Sequence, residues 1–338
     1  MLFEFFLFKY IFLLIGSVSD SYILILTLLV GLNHFMPMLF EAKKSRPLTR
    51  FLTTLDGVWM WASVMFLIDI VIIYVVGQFI TLEREINVVL LLIVPLLGIY
   101  NYWKAHHIVV HEKTLEFDSL ESEINIAHLS DVHFGSIRHK QIIEDIVNKL
   151  NDLDSQVAII SGDLADGSSV VLEDDFDAFK NVKMPVIFTP GNHDFYPGIE
   201  SVIKSAKHAG LIVLDNDSFE LEFLNICGVS YRFDDNGFPG IDNSLIKSDK
   251  INIINYHVPY FWEEFCELGF DIQLSGHTHG GQFYPSVWFG NLMFKYNMGL
   301  FKNNSGNYLH VTTGVGSMDV PMRWGTDSEI VILKLKSK

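Results

Sequence analysis

Cysteine is almost absent from this chain: its 338 residues hold two, Cys227 and Cys266, with no C-x-x-C pair. A disulfide scaffold is excluded, and both thiols read as small buried hydrophobes. Charge is also scarce. Charged residues make up 19% of the chain against 49% apolar ones, which excludes intrinsic disorder. The scarcity is uneven: residues 1–103 carry only 7 acidic and 6 basic side chains. Residues 104–338 carry 33 acidic and 18 basic ones, a net charge of −15. So few bases argue against nucleic-acid binding, which needs Lys and Arg to replace counterions on phosphate. No repeat or low-complexity tract is present. The first part reads as lipid-soluble, and the second as a water-soluble unit long enough to bury a full core.

Three segments are apolar enough to cross a bilayer, which takes about 20 residues. They are Tyr22–Phe40, Gly57–Ile80, which contains Asp69, and Ile86–Trp103, a short one read as interrupted by Pro95. A fourth stretch, Met1–Gly16, reads either as a crossing or as an interfacial helix. The expected membrane region is therefore 1–106, with three or four helices. Asp69 is expected to face the bundle interior or stay protonated; a proton or ion pathway is the sharper reading. Bases cluster at Lys43, Lys44, Arg46 and Arg50, while the next loop holds only Arg84. The bias predicts a multi-pass inner or plasma membrane protein whose C-terminal part faces the cytoplasm.

From about residue 107 short β-rich runs alternate with amphipathic helices. Strands are expected at Ile124–Leu129, Val157–Ser161, Val186–Thr189, Leu211–Leu214, Glu220–Val229, Ile251–Asn255, Ile272–Leu274, Leu309–Thr312 and Glu329–Leu335. Helices are expected at Gln141–Leu150, Phe176–Phe179 and Ile199–His208. The pattern predicts a layered α/β unit with two packed sheets. Metal-binding residue types follow five of these strands: Asp131 and His133; Asp163 and Asp166; Asn192, His193 and Asp194; His257; His277 and His279. In open α/β sheets sites lie beyond the carboxyl ends of strands. On an extended segment side chains at i and i+2 point the same way, so Asp131/His133 and His277/His279 can each share a centre. Mixed oxygen and imidazole donors suit Mn²⁺, Fe or Zn²⁺. The ligands are too many for one tetrahedral ion, and two ions about 3.5–4 Å apart fit better.

The order D-x-H, GDxxD, GNHD, an isolated His and GHTHGGQ resembles the calcineurin-like metallophosphoesterase superfamily. GHTHGGQ and the tail from Thr313-Gly314-Val315-Gly316 through Pro321-Met322-Arg323 to Glu329 are similar to its subgroup of transmembrane proteins. The resemblance covers about residues 107–338 and implies a two-sheet β-sandwich flanked by helices. It implies one metal on Asp131, His133, Asp163 and His279. A second would sit on Asp163, Asn192, His257 and His277, with Asp163 bridging. His193 would be the catalytic histidine and Asp166 would orient it. The implied activity is hydrolysis of a phosphoester or pyrophosphate bond by a hydroxide held between two divalent ions. Some subgroup members cleave the pyrophosphate of UDP-diacylglucosamine in lipid A synthesis, so a lipid-linked substrate joins phosphorylated small molecules as a candidate. The competing class is a non-enzymatic membrane sensor or transporter whose soluble part binds metal or phosphate. One departure is local: relatives carry an acidic residue soon after Gly228-Val229, whereas here Asp234 and Asp235 come later.

Other residues leave alternatives open. Arg323 reads as a contact to substrate phosphate, or as an ion pair or cap near Asp319 or Asp327. His106, His107 and His111 form an interfacial cluster or an extra metal site. His34, His128, His139, His208 and His310 are read as structural. The aromatic-rich stretch Phe283–Phe301 is either a loop packed on the sandwich or an apolar lip beside the metal site, resting on the bilayer or gripping an acyl chain.

Overall fold

A computed structural model describes all residues except 42–43, 119, 121 and 234–236. Lys43, Asp234 and Asp235 therefore lie outside the described residues. The chain opens with four helices: α1 (Leu2–Ile15), α2 (Asp20–Glu41), α3 (Pro47–Gly77) and α4 (Arg84–Ala105). Only 20%, 22% and 28% of the apolar windows of α2, α3 and α4 are buried inside the molecule. Leu28, Ile72, Val75, Leu92 and Leu96 point outward. Helices of a water-soluble core would hide these side chains; a lipid phase would not require it. At 1.5 Å per residue the 14 residues of α1 reach only about 21 Å, short of a full crossing without tilt or thinning.

Two expectations about these helices are corrected. Helix α3 starts at Pro47, ten residues before the expected boundary, and includes Arg50. Proline suits a first helical turn, and the Arg46 amide donates to Thr49 Oγ1 at 3.2 Å. Pro95 does not interrupt the third segment, since α4 runs through it. Neighbouring packing tolerates the missing hydrogen bond: Gly98 faces the buried ring of Trp61 on α3, which lets the two helices approach closely. Asp69 keeps one buried oxygen, Oδ2, without a hydrogen-bond partner.

Beyond His107 the chain is a sandwich. Its further elements are β1 (Ile108–Phe117), β2 (Ile124–Leu129), α5 (His139–Asn151), β3 (Val157–Ile160), β4 (Val186–Phe188) and α6 (Ile199–His208). Then come β5 (Ile212–Val213), β6 (Asp217–Leu221), β7 (Leu224–Gly228), β8 (Ile251–Asn255), α7 (Trp262–Leu268) and β9 (Ile272–Ser275). The chain closes with α8 (Ser286–Met293), β10 (Gly299–Lys302), β11 (Tyr308–Val311) and β12 (Ser328–Ser337). Among the described residues the strands form two six-stranded mixed sheets, ordered β1-β12-β2-β3-β4-β5 and β10-β11-β9-β8-β7-β6.

The strand run Val-Ala-Ile-Ile of β3 is apolar throughout because both faces of its sheet are covered. Val157 and Ile159 point between the sheets, where they meet Ile126, Ile226, Ile253 and Leu274. Ala158 and Ile160 point the other way, into a layer closed by Ile142, Ile146 and Leu150 of α5 and Val202 of α6. Outside the second sheet, Phe265 of α7 packs with Phe270, Ile254 and Cys227. The strands β2, β3 and β4 run parallel, as do β7, β8 and β9. Their carboxyl ends, and the loops that follow, therefore gather at one edge of the sandwich.

The expected strand Glu220–Val229 is in fact the antiparallel pair β6 and β7. Glu222 adopts φ 48° and turns the chain back on itself. Strands β1 and β10 and helices α7 and α8 were not anticipated. In β1, an edge strand with polar side chains at its middle, only Ile108 and Leu115 are buried, so apolar alternation is weak. Both cysteines are free, Cys227 buried and Cys266 half-buried.

Ile159 is fully buried between the sheets. Ile159→Ala is expected to cost about 2–5 kcal/mol, read as a lower unfolding midpoint of the purified protein. A shift near zero would mean that the inter-sheet layer does not hold the fold.

Candidate metal centre

Five loops meet at the carboxyl edge of the central strands. Among the described residues two groups of potential ligand atoms form: Asp131, His133 and His279, and Asp163, His257 and His277. Within the first, His279 Nε2 lies 2.9 Å from His133 Nε2 and 3.3 Å from Asp131 Oδ1. Within the second, His257 Nε2 lies 3.0 Å from Asp163 Oδ2. The same Asp163 oxygen is 3.9 Å from His133 Nε2, so this carboxylate stands between the groups. Asn192 Oδ1 is 3.0 Å from His277 Nδ1. The i, i+2 expectation fails for His277 and His279, which fall into different groups. Both lie at positive φ, 71° and 51°, so the segment is coiled rather than extended.

The backbone is strained where the groups converge. Asp131, His133 and Asp163 also sit at positive φ, between 49° and 54°. Such left-handed residues cost roughly 1–3 kcal/mol each and persist where the surroundings over-determine them. Glycine makes room beside them. A Cβ on Gly276 would strike Ser130 Oγ and Asp131 Oδ2, and one on Gly191 would strike Asp163 Oδ1. Loop-to-loop hydrogen bonds complete the frame. Buried Asp194 accepts from the amides of Ala165 and Gly191, both at 2.8 Å, tying the Asp163 loop to the Asn192 loop. Ser130 Oγ donates to Asp131 Oδ2. The sequence reading grouped Asp194 with the possible metal-binding residues and gave Ser130 no role; here Asp194 braces the loops instead. For Asp194 the available signal was an acid directly after Asn-His, an acceptor beside loop amides that need one.

The electrostatics call for positive charge. Burial pushes His133 down to about 3 and His277 down to about 4, so both rings are neutral near pH 7 with lone pairs available. Burial raises Asp131 to about 6. Burial opposes the charge on Asp163 too, yet His257 and other imidazoles hold this carboxyl well below its usual range. Burial likewise opposes a charged His257, but Asp163 and Asp131 drive it up to about 9. In effect the carboxylates draw a proton onto an imidazole where a cation would serve better.

The donor set fits such a cation. His257 Nδ1 donates to the Ser161 carbonyl at 2.6 Å, which fixes the tautomer and turns Nε2 toward Asp163. That Nε2 is buried and faces Asp163 Oδ2 at 3.0 Å with no other partner among the described residues, where a cation could take the place of its proton.

Not every expected residue joins these groups. His193 lies at their rim, half-exposed, with its ring 4.9 Å from that of His133. Its amide donates to Asp163 Oδ1 at 2.8 Å, and its Nδ1 lies 3.2 Å from the backbone carbonyl of Asp166. The Asp166 carboxylate, expected to hold this ring, instead accepts from the amide and hydroxyl of Ser168. Burial raises it to about 7. Arg323 follows the cap reading, with backbone carbonyls in place of an acid. It is fully buried, and its guanidinium donates to the carbonyls of Gly316 at 2.6 Å and Gly314 at 3.1 Å and to Thr326 Oγ1 at 3.2 Å. It braces the loop behind Asp131, whose carbonyl accepts from the Gly316 amide at 2.8 Å.

The remaining histidines do not converge on this centre. His106 and His107 stack on Tyr102 and Trp103, and His111 meets Asp327 at 3.1 Å. His128 and His310 are buried against each other at 2.6 Å.

Two groups of buried imidazoles and carboxylates, joined at one acid on the strand ends of a two-sheet sandwich, form a candidate two-metal site. Residues 124–281 match the family pattern of the calcineurin-like phosphoesterases. An uncharacterized metallophosphoesterase of Helicobacter pylori is 32% identical over 237 residues, 68% of this chain and 64% of that protein. Another from Aquifex aeolicus is 28% identical over 260 residues, covering 73% of this chain and 98% of the relative. A transmembrane protein with metallophosphoesterase domain from Danio rerio is 26% identical over 63% of this chain and 53% of its own length. The chain thus spans under two thirds of the Helicobacter relative.

Asp163→Asn is expected to weaken binding at both ligand groups, because its carboxylate stands between them. Elemental analysis of the purified variant should show less than one ion per chain. Two tightly held ions would disprove a shared role.

Proposed function

We propose that this chain is a membrane-anchored, metal-dependent phosphohydrolase, with residues 1–106 as its membrane region and 107–338 as its catalytic domain. The observation that carries the reading is the pair of ligand groups that face each other across Asp163. One divalent ion would be held by Asp131, His133, Asp163 and His279, and another by Asp163, Asn192, His257 and His277. Mixed imidazole and oxygen donors favour Mn²⁺, Fe or Zn²⁺. When bound, such ions supply the positive charge that phosphate oxygens need and lower the pKa of water.

The chain's own residues do the rest. His193 is the half-exposed imidazole at the rim, where a leaving group would depart. A carbonyl only accepts, so the contact with Asp166 puts the proton on Nδ1 and leaves Nε2 to exchange one with substrate. Asp166 acts through its backbone as a positioning residue, and Ser168 holds its side chain in place. Asp194 and Arg323 hold the loops rigid, which keeps the groups in register before substrate arrives.

The substrate class follows from the setting. Helices α2–α4 and the name of the Danio rerio relative support a membrane location, and a lipid-linked phosphoester or pyrophosphate suits an enzyme at a bilayer. UDP-diacylglucosamine is one compound of that class to assay beside phosphorylated small molecules. The bases Lys44, Arg46 and Arg50 near the α2–α3 junction support a multi-pass protein of the inner or plasma membrane with a cytoplasmic catalytic domain. Hydrolysis of an aryl phosphodiester by the full-length protein, abolished by chelator and restored by Mn²⁺, tests the reading. The competing sensor or transporter would bind metal and give no turnover.

His193→Ala should retain its metals and lose turnover by about 10²–10⁴-fold for alkyl leaving groups, less for nitrophenolate. An equal loss for both leaving groups would exclude proton donation by this ring. A reporter fused after Lys338 should be active only in the cytoplasm; activity outside it would reverse the proposed topology.

A further inference from the structure

Helix α8 is a surface element with its apolar side out. Val287 and Gly290 are buried, while Trp288 and Phe289 are 64% and 60% exposed and Leu292 and Met293 are 82% and 76% exposed. The segment Ser-Val-Trp-Phe-Gly-Asn-Leu-Met holds no charged side chain. A water-soluble surface seldom carries such a cluster without something to cover it.

Its neighbours say what covers it. The Trp288 ring lies 5.1 Å from Tyr284, and Tyr284 lies 5.5 Å from Trp324. Trp324 and Phe283 pack on the apolar cluster formed by Trp61 and Met65 of α3, Val94 of α4, Val320 and Met322. The apolar surface of α8 is thus continuous with the membrane helices. Depth points the same way. The sandwich meets α3 from Gly57, which touches Asp319 and Pro321, up to Met65. From Met65 to its end at Gly77, α3 rises only about 18 Å, and from Val94 back to Arg84, α4 spans about 15 Å. A hydrocarbon core of about 30 Å therefore extends past the level of Met65 and Val94. Whatever adjoins Phe283 and Trp324 lies at or below the lipid headgroups.

The other end of α8 reaches the metal centre. The Phe294 ring, next in sequence, is 6.0 Å from that of His277. The α8 backbone also presses on the turn that carries His279: a Cβ on Gly281, at φ 86°, would meet Ser286 O at 2.5 Å and Val287 Cα at 2.6 Å.

We propose that α8 is an interfacial helix that inserts Trp288, Phe289, Leu292 and Met293 into the leaflet beside the metal centre. Its occupant is the lipid bilayer. This rests on the reading that α2–α4 cross a membrane, and it deepens that reading. A phosphate group carried on a lipid would reach His277 along α8 while its chains stay in the leaflet, so the substrate class is a membrane lipid bearing a phosphoester or pyrophosphate. An interfacial helix of this kind buries its apolar face roughly 5–10 Å into the headgroup and acyl boundary.

The test uses the full-length protein in phosphatidylcholine vesicles that carry a nitroxide on the acyl chain. A polarity-sensitive fluorophore is attached at Leu292→Cys or, separately, Met293→Cys, in a Cys266→Ser background. Both positions are highly exposed, so neither label disturbs packing. Ile72→Cys on the outward face of α3 reports the span itself, and Lys204→Cys on α6 reports a site in water. Labels at Leu292, Met293 and Ile72 are expected to be quenched by the nitroxide, as burial in the leaflet requires, and the label at Lys204 to be unaffected. Quenching at Ile72 without quenching at Leu292 and Met293 would overturn the insertion of α8 and leave the spanning helices standing. No quenching at Ile72 would overturn the membrane reading and the insertion with it. Blue-shifted but unquenched labels at Leu292 and Met293 would mean that protein, such as a second copy of the chain, covers α8, which also overturns the proposal.

Discussion

A buried carboxylate must be matched by positive charge, and Asp163 is the acid around which this molecule is arranged. Four imidazoles and a second carboxylate crowd the same few ångströms, and none of them can supply a lasting countercharge at neutral pH except His257. The sandwich exists, in this sense, to hold negative charge and lone pairs together against their mutual repulsion. It does so with parallel strands, whose carboxyl ends deliver five loops to one edge. The left-handed conformations of Asp131, His133, Asp163, His277 and His279 are the local cost of that convergence.

The apolar helices α3 and α4 are part of this scaffold. The loop Gly314–Arg323 backs Asp131 on one side and lies on α3 and α4 on the other. Arg323 holds its carbonyls, its own amide donates to the Asn101 carbonyl of α4 at 3.1 Å, and Gly57 of α3 accepts the approach of Asp319 and Pro321 because it has no side chain. Gln282, the last residue of the GHTHGGQ run, fastens the same loop through the Val320 carbonyl at 2.6 Å and the Met318 amide at 3.0 Å. Helices that dock this deeply near the ligand-bearing loops constrain their geometry as well as their location.

Most of the strands were legible because their environment is simple. Where a strand is covered on both faces, as at Val157–Ile160 or Val186–Phe188, an unbroken apolar run marks it. The candidate ligands were legible for a related reason: each follows a buried strand directly, so their placement needed only the rule about strand ends. Illegible features depend on contacts made elsewhere. The edge strand β1 reads as polar because its solvent side does. The hairpin at Glu222 hides in an apolar run, since a single left-handed residue leaves no strong trace in a sequence. Arg323 was open to two readings because a guanidinium that caps backbone carbonyls looks, in sequence, like one that awaits an anion.

By itself the sequence determined the division into an apolar helical part and a layered α/β part, the strand order of donors, and the family. Hydrophobic periodicity and donor spacing are local properties, written in neighbouring residues. Tertiary structure decided the rest. It separated His277 from His279, put the backbone of Asp166 rather than its carboxylate beside His193, buried Arg323, and left α8 bare beside the membrane helices. Each of these depends on which distant surfaces meet, and a chain records that only in the sum of its packing.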